Sequence, residues 1–289
     1  MYPHVITNVI EDIVKLIFII MFTPFFLSKG IECAVTFIIL TNIFSELSSI
    51  IIFLFLLPNF KAKKSEIIPN KKNIKNLLSI ALPTTGSRLI GTIGYFLEPI
   101  IITYVLIKIG YSNDFIVNEY GIINGYVMQL VLLPSFFTNA ISQALIPSIS
   151  KNYSLGKYDQ VKRKIKQAIF FCLLVGIPAS ILFEFFPQFF LKFLFNTNKG
   201  IDYIKIITPI CILHYIQSPI SSSLQAMNKA KISMFGTLLG TIIRTLSLFI
   251  FSFFKIGLWS LIIATSINII FVTIFDAYNV FKLLKKAKR

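Results

Sequence analysis

Apolar runs about as long as a bilayer is thick recur along this chain, and short gaps between them hold most of its charge. A membrane-crossing helix needs about 20 mostly apolar residues, because each residue advances it by roughly 1.5 Å. Segments of that length cover residues 9–27, 31–57, 77–108, 119–149, 165–190, 202–227, 232–254 and 257–282. The pattern predicts an all-α fold, a polytopic transmembrane helical bundle of about eight spans.

The gaps add a second regularity. Lys61, Lys63, Lys64, Lys71, Lys72 and Lys75 follow the second segment. Lys151, Lys157, Lys162, Arg163, Lys164 and Lys166 follow the fourth, and Lys229 and Lys231 the sixth. Lys282, Lys285, Lys286, Lys288 and Arg289 close the chain. The gaps between these hold only Lys29, Lys108, Lys192, Lys199, Lys205 and Lys255. Loops rich in Lys and Arg stay on the cytoplasmic side, so the bias predicts a cytoplasmic-membrane protein with both termini in the cytoplasm. The stretch 158–167 reads either as a basic amphipathic helix on the anionic inner leaflet or as a solvated connector.

Composition agrees with this picture. Hydrophobic residues make up 55% and charged residues 14%, whereas a soluble domain carries about a quarter charged residues. The net charge of +16 would suggest nucleic acid in a soluble protein. Here it lies in membrane-flanking gaps, so no nucleic-acid partner is expected. Cys33, Cys172 and Cys211 are isolated in apolar runs, without zinc or disulfide spacing. HExxH, GxSxG and P-loop patterns are absent, and the 12 acidic residues are scattered. No enzyme, no metal and no cofactor is expected.

Proline is frequent within or near the ends of the runs, at Pro83, Pro99, Pro134, Pro147, Pro178, Pro209 and Pro219. Each removes a backbone donor and bends its helix. Bent helices suit a transporter cavity, although kinks occur in all membrane bundles.

Polar residues deep in the runs are the candidate site. Arg88 lies about 17 Å into the third segment, where lipid exposure would be costly. Thr84, Thr85, Gly86 and Ser87 precede it, and Gly91 and Gly94 continue a small-residue face. Glu98 comes next, about 15 Å further along the axis on a broadly shared face. Arg88 suits an anionic cargo, and Glu98 suits ion coupling or gating. The alternative is that each pairs privately with a neighbouring helix. Arg244 lies mid-depth in the seventh segment, as cargo ligand or structural cation. His214 and Gln217 lie mid-depth in the sixth, where His214 is a proton relay or a packing residue. Gln129 and Gln143 of the fourth are near four turns apart, so on similar faces, for sugar hydroxyls or interhelical hydrogen bonds. Glu184 and Asp276 read as interfacial and structural.

The run Ala81-Leu82-Pro83-Thr84-Thr85-Gly86-Ser87-Arg88-Leu89-Ile90-Gly91, followed by Leu97-Glu98-Pro99-Ile100, resembles the seventh helix of the stage V sporulation protein B group. Those proteins belong to the multidrug/oligosaccharidyl-lipid/polysaccharide exporter superfamily. Further matches come in order at Leu133-Pro134-Ser135, Ala144-Leu145-Ile146-Pro147-Ser148-Ile149-Ser150, Gly176-Ile177-Pro178-Ala179 and Leu224-Gln225-Ala226-Met227-Asn228-Lys229. Val9-Ile10-Glu11-Asp12-Ile13-Val14 resembles the start of the fifth helix.

The resemblance implies two helical lobes around a central cavity, working by alternating access on a lipid-linked saccharide such as a peptidoglycan precursor. It implies the last two helices of one lobe (1–57), a basic cytoplasmic linker (58–76), a six-helix second lobe (77–282) and a basic tail (283–289). It also implies that four helices of the family lie ahead of the matched part. The expectation is a split or truncated product, or assembly with a separate N-terminal fragment, alongside membrane lipids. A multidrug exporter of cations, or a non-transporting partner in envelope assembly, is the alternative.

Overall fold

The computed structural model describes residues 2–56 and 71–286, and every described span is helical. The chain divides into two compact units, Met1–Asn70 and Lys71–Arg289. Residues 58–70 of the expected basic linker and 287–289 of the expected basic tail lie outside the described residues.

The first unit is a helical hairpin. Helix α1 is Tyr2–Leu27 and α2 is Ile31–Leu56. Gly30 turns the chain between them at φ 123°, a value that L side chains rarely adopt. The two helices pack through aromatic rings. Phe26 stacks on Phe37 with centroids 4.4 Å apart, and Phe18 on Phe44 at 6.0 Å. Along α2, Ala34, Thr41 and Ser45 are buried. Both hydroxyls donate to their own helix, Thr41 to the Phe37 carbonyl and Ser45 to that of Asn42.

The second unit begins with α3, Lys71–Lys108, 38 residues long. It starts six residues before the expected boundary at 77, inside what reads as linker. Next come α4 (Asn113–Ile122), a π-helical turn (Ile123–Val127) and the short α5 (Met128–Val131). Helix α6 is Ser135–Ser154 and α7 is Tyr158–Phe185. The short α8 (Pro187–Phe195) precedes α9 (Ile201–Ala226), α10 (Ala230–Ser252) and α11 (Trp259–Lys286).

Two expectations need correction. The fourth expected span, 119–149, is not one straight rod: the helices on either side of 132–134 meet at 52°. Pro134 has no amide proton, and Ser135 N–H turns to the Leu132 carbonyl instead of continuing the helix. The stretch 158–167 is not a separate in-plane helix either. It forms the opening turns of α7, continuous with the apolar part. Five helices among the described residues are, by length and composition alone, long and apolar enough to cross a membrane, or six with the bent pair counted as one. The other two expected spans, α1 and α9, are 26 residues long but more polar. The first carries Glu11, Asp12 and Lys15; the second carries His214, Gln217, Ser218, Ser221, Ser222 and Ser223.

Helix α10 packs between α3 and α11, while α9 packs against α6, α7 and α11. Glycines set these approaches. A Cβ on Gly94 would meet Thr241 Cγ2 at 2.5 Å, and one on Gly240 would meet Val272 Cγ2 at 2.3 Å. Gly236 and Gly240 form a small-xxx-small ridge toward α11, a spacing that lets membrane helices come close. Gly91 has nothing within 4 Å, so Gly86, against Met234, and Gly94 serve packing on the expected small-residue face while Gly91 does not. On α7, Gly176 makes room for the Tyr215 ring. The Tyr215 hydroxyl donates to the Val131 carbonyl at 2.6 Å. Ser135 N–H has gone to Leu132, so the bend frees the Val131 carbonyl. In an apolar slab that carbonyl needs a donor, and Tyr215 supplies it.

Candidate functional site

The close contact of Gly94 with Thr241 sets the next turn of both helices in register. Glu98 lies one turn beyond Gly94 on α3, and Arg244 one turn beyond Thr241 on α10. The two side chains meet as an ion pair, Arg244 donating through one terminal nitrogen to Glu98 Oε2. The Glu98 side chain is 2% exposed and that of Arg244 11%. The second carboxylate oxygen of Glu98 accepts from the Tyr120 hydroxyl of α4 at 3.1 Å. The guanidinium lies over the exposed Tyr95 ring, 4.4 Å from its centroid. An ion pair this buried is neutral as a unit, and loss of either partner would strand a charge in low dielectric.

The pair is not fully saturated. Arg244 Nε is buried and has no hydrogen-bond partner among the described residues. A guanidinium offers five donors in a planar fork that fits carboxylate or phosphate oxygens. Pro99, next to Glu98, cannot donate to the Tyr95 carbonyl one turn back, so this level of α3 is unusually polar.

A second polar cluster joins α6, α9 and α11. Ser218 Oγ lies 2.8 Å from Asn139 Oδ1 and 2.9 Å from Ser142 Oγ. One turn further on α9, Ser221 donates to Asp276 of α11. Asp276 is fully buried, and its other oxygen has no partner among the described residues. Sequence reads Asp276 as interfacial and structural, and the fold sets it within the contact of α9 and α11. Helix α11 runs to Lys286 rather than 282, so Asp276 lies about 15 Å from the helix end.

The remaining candidates disperse. Arg88 is exposed and makes no ion pair among the described residues. Glu98 points into the helix contact, so the face expected to be shared by Arg88 and Glu98 is divided: one side chain points out and the other in. Gln129 and Gln143 are exposed, but the bend at 132–134 separates α5 from α6, so the common face of a straight helix does not hold. The Gln129 amide donates to the Asn124 carbonyl at 3.4 Å. Gln217 is half-buried, and His214 Nδ1 is buried without a partner among the described residues. Tyr95, Tyr120 and Ser221 carry no sequence signal of a chemical role, and Asn139 only that of a polar residue within its span. Their contacts with the charged and polar side chains are what distinguish them.

Comparison with known proteins places these features in a wider group. The chain matches the family model described as polysaccharide biosynthesis protein over residues 1–153, and that described as MatE over residues 123–250. It is similar to stage V sporulation protein B of Bacillus subtilis (strain 168), at 32% identity over 98% of this chain and 56% of that protein. It is also similar to the lipid II flippase MurJ of the same organism, at 22% identity over 84% of this chain and 48% of that protein. A crystal structure of MATE in the straight conformation superimposes with a TM-score of 0.75 at 14% identity, covering 98% of this chain and 62% of that one. At that identity the likeness shows the fold. The chain spans about half to two thirds of the length of the curated relatives it matches.

Proposed function

The chain belongs to the polysaccharide biosynthesis protein family of the multidrug/oligosaccharidyl-lipid/polysaccharide exporter superfamily, and from that membership we propose that it works in flipping a lipid-linked saccharide across the cytoplasmic membrane. Alternating access is the proposed cycle, with both termini on the cytoplasmic side, as the basic gaps favour.

The observation that carries this reading is the buried Arg244–Glu98 pair with unspent guanidinium donors. A diphosphate headgroup competes with Glu98 for Arg244, since the fork grips phosphate in a bidentate way. Glu98, once displaced, needs a proton or another cation to remain buried. Binding of an anionic cargo is thereby tied to uptake of a positive charge. Arg88, exposed on the same helix, is the proposed second cation for the headgroup. Gln129, Gln143 and Gln217 are the proposed sugar-facing amides, and His214 is a proposed relay for the proton.

Reconstitution of the chain into vesicles with a fluorescent polyprenyl-diphosphate saccharide tests the proposal. Labelled lipid should become accessible to an outside quencher faster than in empty vesicles, and Arg244→Gln should remove the difference. Equal rates with and without the protein would overturn the proposal.

One observation favours a second reading. The Arg244 guanidinium is held by the Glu98 carboxylate and the face of the Tyr95 ring, and a carboxylate paired with an aromatic face also suits an organic cation. In that case Arg244 would be the group displaced. Uptake of an ethidium-like cation by the same vesicles, without movement of the labelled lipid, would select the exporter reading.

A further inference from the structure

At the end of the second unit where α7 begins and α11 ends, a groove opens between these two helices. Helix α9 packs against both of them, and its Ile220 forms part of the groove floor. The groove encloses about 390 Å³. Its walls are Ile165 and Ile169 of α7 and Val280, Phe281 and Leu284 of α11. Ile165, Ile220 and Val280 are buried members of the adjacent apolar core, so the floor is fixed by packing. Phe281 is 62% exposed and opens the groove sideways, toward the surface that a membrane-spanning helix presents to lipid.

The rim differs from the floor. Lys162 and Lys166 stand one turn apart on α7, and Lys285 lies opposite on α11. All three are exposed. Asp159 lines the same groove, and the rim keeps a positive balance. The half-buried Tyr158 completes it with a phenol, a side chain favoured at the headgroup level. Long lysine stems run along apolar surface while their ammonium groups reach toward water. An apolar slot under a ring of ammonium groups, at the end of two membrane-crossing helices, matches a molecule with an acyl chain below and an anionic phosphate above.

We infer that this groove is a binding site for an anionic glycerophospholipid of the adjoining leaflet. One acyl chain lies along Ile169, Ile220 and Phe281, and the phosphate sits among Lys162, Lys166 and Lys285. The site is separate from the Glu98–Arg244 pair and does not depend on what the protein transports. The basic opening of α7 thereby gains a ligand, where the sequence alone offers only a solvated or interfacial stretch.

The test is native mass spectrometry of the purified chain in detergent, offered equal amounts of a phosphatidylglycerol and a phosphatidylcholine with identical acyl chains. The phosphatidylglycerol adduct should dominate by about tenfold, equivalent to roughly 1.4 kcal/mol. The variant Lys162→Gln/Lys166→Gln/Lys285→Gln should bind the two lipids equally. Ala277 of α11 also lines the groove; Ala277→Phe, which fills it, should lose both adducts, while an unchanged melting profile without lipid shows that it still folds. Equal binding by the unmodified chain, or a preference that survives the triple substitution, would overturn the site. Displacement of phosphatidylglycerol by millimolar glycerol 1-phosphate would also overturn it, because the apolar slot would then be irrelevant. So would lipid-independent dimers lost in Ala277→Phe, which would assign the groove to a second copy of the chain.

Discussion

Glu98 and Arg244 stand 146 positions apart in the chain and close on each other as a buried ion pair between α3 and α10. The alignment that brings them together is set one turn earlier, where Gly94 lies against Thr241. A small residue thus determines whether a charge finds its partner. Removing one partner of such a pair costs about 3–5 kcal/mol, whereas replacing both by apolar groups is often neutral.

The first prediction rests on that asymmetry. Arg244→Leu alone should lower stability by about 3 kcal/mol or more, because Glu98 is left buried. Glu98→Leu/Arg244→Leu should recover most of the loss. Thermal unfolding in detergent, read as a double-mutant cycle, checks it. Additive losses would mean that the two side chains do not depend on each other.

The second concerns the glycines. Gly94→Ala should push α3 from α10 and cost about 1–3 kcal/mol, as overpacking does. Gly91→Ala, in open space on the same helix, should be neutral or gain up to about 1 kcal/mol from helix propensity. The contrast between the two melting temperatures is the measurement, since the chemical change is identical.

The third concerns the bend. Tyr215→Phe deletes the hydroxyl that serves the Val131 carbonyl, and an orphaned buried acceptor costs about 1–3 kcal/mol. Hydrogen exchange should rise around 128–138 and stay unchanged in α10. Uniform exchange across the unit would refute a local role.

The fourth rests on the proposed transport. Arg88 is exposed and makes no ion pair among the described residues, so Arg88→Ala should insert and melt like the unmodified chain while flipping is lost. The vesicle assay gives the rate, and the melting profile shows that the fold is kept. Normal flipping in this variant would remove Arg88 from the mechanism.

How much of the molecule is legible in its sequence differs from one feature to the next. Span positions are legible because an apolar run is matched to a bilayer of known thickness, a purely local criterion. The bend at 132–134 is only half legible. Pro134 marks it, but the π turn at Ile123–Val127 has no residue signature. The π turn lies ahead of Gln129, and it is the bend alone that separates Gln129 from Gln143. The end of α11 is legible only to within a turn, since helix boundaries are the least certain feature of a sequence. The meeting of Glu98 with Arg244 is not legible, because periodicity places a side chain on its own helix and is silent about which partner helix it faces.

Helix α10 is seated by glycines along both edges, Gly86 and Gly94 of α3 on one side and its own Gly236 and Gly240 toward α11 on the other. Seams this tight have no slack for sliding, since interlocked cores switch between arrangements and do not deform gradually. These three helices therefore behave as one plank. Pro83 and Pro99 interrupt the ladder of α3, but that helix runs unbroken through both, seated against α10. Hingeing elsewhere in this unit falls to the elbow at 132–134 and to the interrupted ladders at Pro147 of α6, Pro178 of α7 and Pro209 and Pro219 of α9.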